Sequence, residues 1–474
     1  MNTDRFKNYE DNVKLLVLDF ESMERRGSNR YFDVDQMETI IDFYLETADS
    51  EMLEKSVRYG EQLFPTSNEI RLRRAHLLCF KERYDEALNL LKQLQQIEPN
   101  DTDVLYALGV VYGALDQHRK AIQYYHKAEA DGYELATIYA NIADEYAKMD
   151  MLADARTYYR KALSINPDDE HSIFELANCY EDEGLTDKWI RFFSNFVEQH
   201  PYSRTAWFCL AEAYVVEQLY EKAIDAYQYA LAIDDNYFDA YMQLASCHFA
   251  MDDYSNAVAT LHESLAHTDD KAYVYYRLGE IFKSQNNIVT ANVYYRKAVN
   301  EDPYYAEAWH MLALNYGITH SYYAAIDAIE RALKIDRESP VYLTTLALLY
   351  ADNGDFDKAE EVFDKAIPYY SDFEQGWLVY TDCLIMQERF ADAREVLVRE
   401  LPDCDLVLEF SKRLALCYYN LGQRNLLFNA VRDCICEENG EQQLLDYCPE
   451  LNNDYEVMNI IESHRRESQK NQQQ

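Results

Sequence analysis

A few groupings of side chains in this 474-residue chain come near the spacing that chemistry requires. His262 and His267, with Glu263 between them, are the residue types of a helix that holds zinc and activates water. Their separation is five residues rather than four, which turns the second imidazole about 140° away from the first. Cys434-Ile435-Cys436 lacks both the two-residue spacer and the second cysteine pair of a zinc site. No Gly-rich phosphate loop occurs, and the other His, Asp and Glu residues fall at ordinary solvent-facing places. Covalent catalysis, a metal and a cofactor are therefore not expected. What remains is non-covalent recognition. Tyr106, Ala140, Phe174, Phe208, Met242, Tyr276 and His310 recur at a fixed interval, with Tyr273 and Phe249 beside them. Asp144, Asn178, Glu181, Asp182, Glu212, Asp239 and Glu280 edge the series. An aromatic stripe bordered by carboxylates suits a peptide or helix with apolar anchors and Lys or Arg between them. Packing of each ring on a neighbouring helix explains the same series.

The interval is 34 residues, and it holds from about Val34 to Glu441 without insertion or deletion. Periods start near 34, 68, 102, 136, 170, 204, 238, 272, 306, 340, 374 and 408. Their eighth places read Ile41, Ala75, Gly109, Ala143, Ala177, Ala211, Ala245, Gly279, Ala313, Ala347, Thr381 and Ala415. Place 20 is Ala in nine periods, and place 11 is aromatic in nine, from Tyr44 to Tyr418. Places 4, 7, 8 and 11 share one helical face, and places 20, 24 and 27 form the stripe of a second helix. Small residues at two fixed points let the two helices approach closely. Pro65, Pro99, Pro167, Pro201 and Pro303 fall at place 32, where the second helix must end. Places 2, 5, 9 and 12 share the opposite face of the first helix, which carries the aromatic stripe.

Trp207-Phe208-Cys209-Leu210-Ala211-Glu212-Ala213-Tyr214, followed by Ala223, Tyr227 and Ala230, resembles the tetratricopeptide-repeat signature. Trp309 to Tyr316, with Ala325 and Ala332, is similar to it as well. The resemblance, to long multi-repeat proteins of bacterial type, covers about 85% of the chain by the period's own limits. It implies an all-α, right-handed superhelical solenoid of about twelve helix-turn-helix repeats, whose first helices line a concave groove. Chaperone-tail binders of this family use a carboxylate clamp, which the scattered Arg73, Arg277, Lys412 and Arg413 do not reproduce. Sugar-transferring relatives carry an Asn ladder at place 6, matched here by Asn141 alone.

A solenoid lengthens without enlarging one core, so 474 residues need no second domain. The formal charge of −40 excludes nucleic acid as a natural ligand and favours basic or neutral partners. The same acidity keeps a tyrosine-rich surface soluble. No stretch reaches the roughly 18 apolar residues of a membrane span, and residues 1–33 hold no signal peptide. A cytoplasmic protein without disulfides is expected, its ten cysteines scattered and largely buried. Residues 1–33 should form an N-terminal helical cap with a helix from about Tyr9 to Arg25. Residues 442–462 should form the C-terminal cap, and 463–474 a disordered tail. Trp189 stands where most periods have Ala, which points either to local repacking or to an opened groove. Taken together, these residues point to a non-catalytic adaptor that docks a basic or apolar-anchored segment of another protein. The alternative is a self-assembling structural protein, such as a homodimer joined through its caps or edges.

Overall fold

The computed structural model describes residues 11–129, 133–372, 374–400, 406–437 and 439–471, and every regular element among them is helical. Two compact units divide the chain, residues 1–252 and 253–474. Unit 1 begins with α1 (Asp11–Arg26), α2 (Val34–Glu46), α3 (Ser50–Leu63), α4 (Asn68–Phe80) and α5 (Tyr84–Ile97). It continues through α6 (Thr102–Ala114), α7 (His118–Lys127), α8 (Tyr133–Lys148), α9 (Leu152–Ile165) and α10 (Glu170–Asp182). The unit ends with α11 (Thr186–Gln199), α12 (Arg204–Val216), α13 (Tyr220–Ile233) and α14 (Phe238–Ala250). Unit 2 comprises α15 (Tyr254–Ser264), α16 (Lys271–Ser284), α17 (Ile288–Glu301), α18 (Ala306–Ile318), α19 (Tyr322–Ile335) and α20 (Pro340–Asp352). Then follow α21 (Phe356–Ala366), α22 (Glu374–Met386), α23 (Phe390–Glu400), α24 (Val407–Asn420), α25 (Arg424–Cys436), α26 (Gly440–Tyr447) and α27 (Tyr455–Asn471). The even-numbered helices α2 to α24 are the first helices of the 34-residue periods, and the odd-numbered ones α3 to α25 are the second.

Local chemistry sets the ends of these helices. Asp33 caps α2 in a reciprocal capping box with Gln36, and Ser67, Asp101, Ser203 and Ser339 cap later first helices. Every first helix stops in the same way. Place 15 has a left-handed backbone at Ala48, Glu82, Asp116, Asp150, Gly184, Gln218, Asp252, Asn286, His320, Gly354, Glu388 and Gly422. The next amide then reaches back five residues, as Arg83 N does to Leu78 O at 2.8 Å, so the orphan carbonyls are satisfied and the chain reverses.

In the third and eighth hairpins, the glycine at place 8 receives the tyrosine ring at place 24. A Cβ on Gly109 would lie 2.5 Å from the Tyr125 ring, and Gly279 stands in the same relation to Tyr295. The fifth period departs from this scheme. Trp189, Phe193 and Phe196 are all buried in α11, and the backbones of α10 and α11 approach less closely than in the other hairpins within a unit. The indole has thus been admitted by spreading the helices, with its Nε1 left without a partner.

At the N-terminus, α1 buries Val17, Phe20 and Met23 against the first hairpin, with the Phe20 ring near Phe32, Tyr44 and Tyr59. Residues 9 and 10 of the expected cap helix lie outside the described residues. At the other end, α26, a 3-10 turn over Pro449–Asn453, and α27 follow the last hairpin. Helix α27 runs to Asn471, so the tail expected from residue 463 is helical as far as 471, and 472–474 lie outside the described residues. Buried Val457 and Ile461 anchor α27, and Arg465 pairs with Glu441. No helix of the described residues is long and apolar enough to cross a membrane.

Candidate functional site

In unit 1, α2, α4 and α6 lie side by side and present places 5, 9, 12 and 13 on one surface. Between them opens a cavity of about 350 Å³, lined by Leu45, His76, Cys79, Phe80, Tyr106, Ala107 and Val110. Phe80 and Val110 are 39% and 37% exposed, an apolar display on a strongly acidic chain. The Tyr106 ring lies 5.7 Å from Tyr125, and its hydroxyl accepts from Asn141 Nδ2 at 2.8 Å. His76 is densely surrounded, with one edge open to the cavity, and makes no hydrogen bond to a described residue. Burial, and then the nearby Arg73 guanidinium, hold this imidazole below its usual pKa.

Asp42 and Asp103 lie near enough to act on the His76 charge. Arg73 donates through Nε and Nη2 to Asp42, at 3.2 and 3.0 Å, and its Nη2 lies 3.2 Å from Glu38. Burial raises the pKa of Glu38, and Asp42, Glu69 and Asp35 add to the rise. One guanidinium therefore faces several carboxylates, and the surroundings stay electronegative.

Further along unit 1, the place-5 series continues on α10, α12 and α14. Phe174 and Phe208 are half-buried and meet edge to face at 6.1 Å. Phe208 also packs on Tyr227 and Tyr237, at 5.5 and 5.1 Å. Met242 is buried, Phe249 is half-buried, and Asn178 is exposed. The stripe is thus a surface and a packing layer at once. In unit 2, Tyr276 packs on Tyr295 and Tyr305, and burial pushes its hydroxyl up to about 12. Tyr273 accepts from Arg277 Nη1 at 3.0 Å. His310 lies 5.0 Å from the Tyr342 ring and 3.0 Å from Thr345 Oγ1.

The carboxylates of the stripe are not simply solvent-facing. Tyr159 donates to Asp144 at 2.5 Å, Tyr227 to Glu212, and Tyr295 to Glu280. In each case a buried place-24 phenol of the second helix reaches a place-9 acid of the first. His171 also meets Asp144, at 2.9 Å. Burial raises the pKa of Glu212 despite the bond from Tyr227. Each acid keeps a second oxygen, so these residues join scaffold to surface. Arg413, like Arg73, is already paired, with Asp382 and Glu409. His262 meets Tyr294 OH at 3.1 Å rather than a second imidazole.

Sequence reasoning named Tyr106 but missed Leu45, His76, Phe80 and Val110. The signal was available: they occupy places 12, 9, 13 and 9 of the first three periods, while the stripe was traced only from the third.

Comparison with known proteins agrees with this architecture. A family model described as tetratricopeptide repeat matches residues 81–141 and 214–278, and a second so described matches 136–169 and 272–305. A model for anaphase-promoting complex, cyclosome, subunit 3 matches residues 318–400. The chain is 22% identical over 339 residues to TPR repeat-containing protein YpiA of Bacillus subtilis, covering 71% of this chain and 72% of that protein. A TPR repeat-containing protein of Methanocaldococcus jannaschii is 23% identical over 302 residues, which span 62% of this chain and 49% of that one. Among solved structures, a chain of the APC/C hetero-tetramer Cut9-Hcn1 is 14% identical with a TM-score of 0.36, covering 95% of this chain and 93% of that chain. The matched repeat models fall on the paired helices of the 34-residue period, so the chain carries tetratricopeptide repeats over residues 81–169 and 214–305.

Proposed function

We propose that this protein is a non-catalytic scaffold that binds a segment of another protein on the face of its first helices. The observation that carries the reading is the apolar cavity between α2, α4 and α6, open on that face, with Asp42 and Asp103 near enough to act on the His76 that lines it. Convergence of apolar anchors with carboxylates is the surface that a basic, amphipathic peptide or helix complements. Phe174, Phe208 and the free oxygen of Glu212 extend the same chemistry along unit 1, with Asn178, Met242 and Phe249 beside them. Tyr273, Tyr276, Glu280 and His310 supply a comparable strip in unit 2. Such a surface works by docking alone, with its negative field speeding the approach of a cationic segment.

A random displayed-peptide library selected on the native chain tests this. Enrichment of sequences with aromatic or aliphatic anchors among Lys and Arg, weakened by added salt, is the expected result. The variant Val110→Ser/Phe174→Ser/Phe208→Ser, once circular dichroism shows it folded, should lose that enrichment. No enrichment on the native chain, or the same motif on the variant, would refute the proposal. Self-association is a second reading, favoured by Leu15 and Leu18 on α1, 61% and 39% exposed. A solution mass that stays at 55.8 kDa at every concentration ends that reading.

A further inference from the structure

We infer that the cavity between α2, α4 and α6 is a socket for one aromatic side chain bearing a hydrogen-bonding group, a tryptophan or tyrosine carried by a basic segment of the partner. This rests on the docking face proposed above and names what that face reads. Leu45, Cys79, Phe80, Tyr106 and Val110 make the walls almost wholly apolar, and His76 is the polar exception. Two of the walls are rings, which favour a third ring over an aliphatic chain. The Tyr106 oxygen already accepts from Asn141, so the acceptor left without a partner that faces an entering N–H or O–H is the imidazole nitrogen.

A neutral imidazole offers one N–H donor and one acceptor nitrogen. Left unpaired in apolar surroundings it is costly, and a wholly apolar ligand would seal it in that condition. An indole N–H or a phenol O–H supplies the missing partner. Sites of this kind, mostly apolar with one placed polar group, discriminate by the bond they leave unmade. The flanking charge decides what carries the ring. Asp42 and Asp103 act on the His76 charge against Arg73 alone, and Arg73 is itself paired with Glu38 and Asp42. A segment with Lys or Arg beside its anchor is attracted there. A second copy of a chain with formal charge −40 is repelled.

Indole and its isostere benzothiophene, which lacks the N–H, are the probes, titrated by NMR into the full chain. Indole should bind the native chain roughly three- to tenfold more tightly, the range of one net neutral hydrogen bond. His76→Phe should abolish the preference while benzothiophene still binds, which also shows that the variant is folded. Val110→Trp should fill the cavity and lose both ligands. Equal affinities on the native chain, or a preference that survives His76→Phe, would overturn the role of His76. Binding of neither probe would overturn the socket. The peptide selection is read separately, so a failed socket and a failed docking face are distinct results.

Discussion

His310 shows how one side chain can satisfy a recognition pattern and a packing pattern together. It continues the place-5 stripe, yet its ring is tucked against Tyr342 and Thr345. Burial, and then the Lys283 ammonium, push its pKa down from 6.5 to about 4. A pKa depressed in the folded state means that the unfolded chain takes up the proton first. The contribution of the neutral imidazole is therefore complete above pH 6.5 and is lost as the pH falls towards 4. The thermal midpoint of the native chain should exceed that of His310→Gln by a margin that shrinks between those pH values. Melting both proteins in steps of pH checks this, and a constant margin would show that the imidazole is not held neutral. The phenol–carboxylate bonds at Asp144, Glu212 and Glu280 make the same point from the polar side. Acids that look free on a helical wheel are held from behind by the partner helix.

At the scale of the helix and its turn, the left-handed residue at place 15 recurs in every hairpin, but only Gly184, Gly354 and Gly422 are glycine there. A side-chain-bearing residue pays about 1–2 kcal/mol for that conformation, and glycine loses about 0.5–1 kcal/mol more entropy on folding elsewhere in a helix or strand. Gln218→Gly should thus stabilise by about 0.5–1 kcal/mol, because the bonds from Gln218 N to Val215 O and Leu219 N to Tyr214 O are backbone bonds and survive. Gly184→Ala should destabilise by a similar amount, since no atom lies within 4 Å of its new Cβ and strain is the only effect. Denaturant melts of both variants check the pair of signs. The helices and their register were legible because Ala or Gly at place 8 and Ala at place 20 report close packing whatever else varies. The left-handed backbone of the turn was not, since Glu82, Gln218 and His320 give no hint of it; the amide that follows bonds back to a carbonyl in the last turn of the same helix. Trp189 was legible as an exception, and α10 and α11 stand further apart where it is buried. The cavity was half legible. Tyr106 is a stripe residue, whereas His76 is meaningful only once α2, α4 and α6 surround it.

For the whole molecule, charge is the property that no single repeat reveals. Eighty-five acidic residues stand against 45 basic ones, so even complete pairing leaves a surplus of carboxylates. The structure spends many of its cations locally. Arg204 pairs with Glu170 and Asp234, Arg389 with Glu360 and Asp392, and Arg424 with Asp454 and Glu456. Pairs of this exposed kind contribute only about 0–1 kcal/mol each, so salt, which screens them too, has little attraction there to remove. Repulsion among the surplus acids acts over longer distances, and there screening matters: the Debye length falls from about 30 Å at 0.01 M salt to about 8 Å at 0.15 M. Salt should therefore remove more repulsion than attraction and raise the thermal midpoint across that range. The same screening should weaken capture of a basic peptide, so stability and binding move in opposite directions with salt. Circular dichroism melts and peptide titrations in matched buffers read both. A midpoint that falls with salt would mean that the local ion pairs outweigh the long-range field, and the field could then no longer be invoked to draw in a partner.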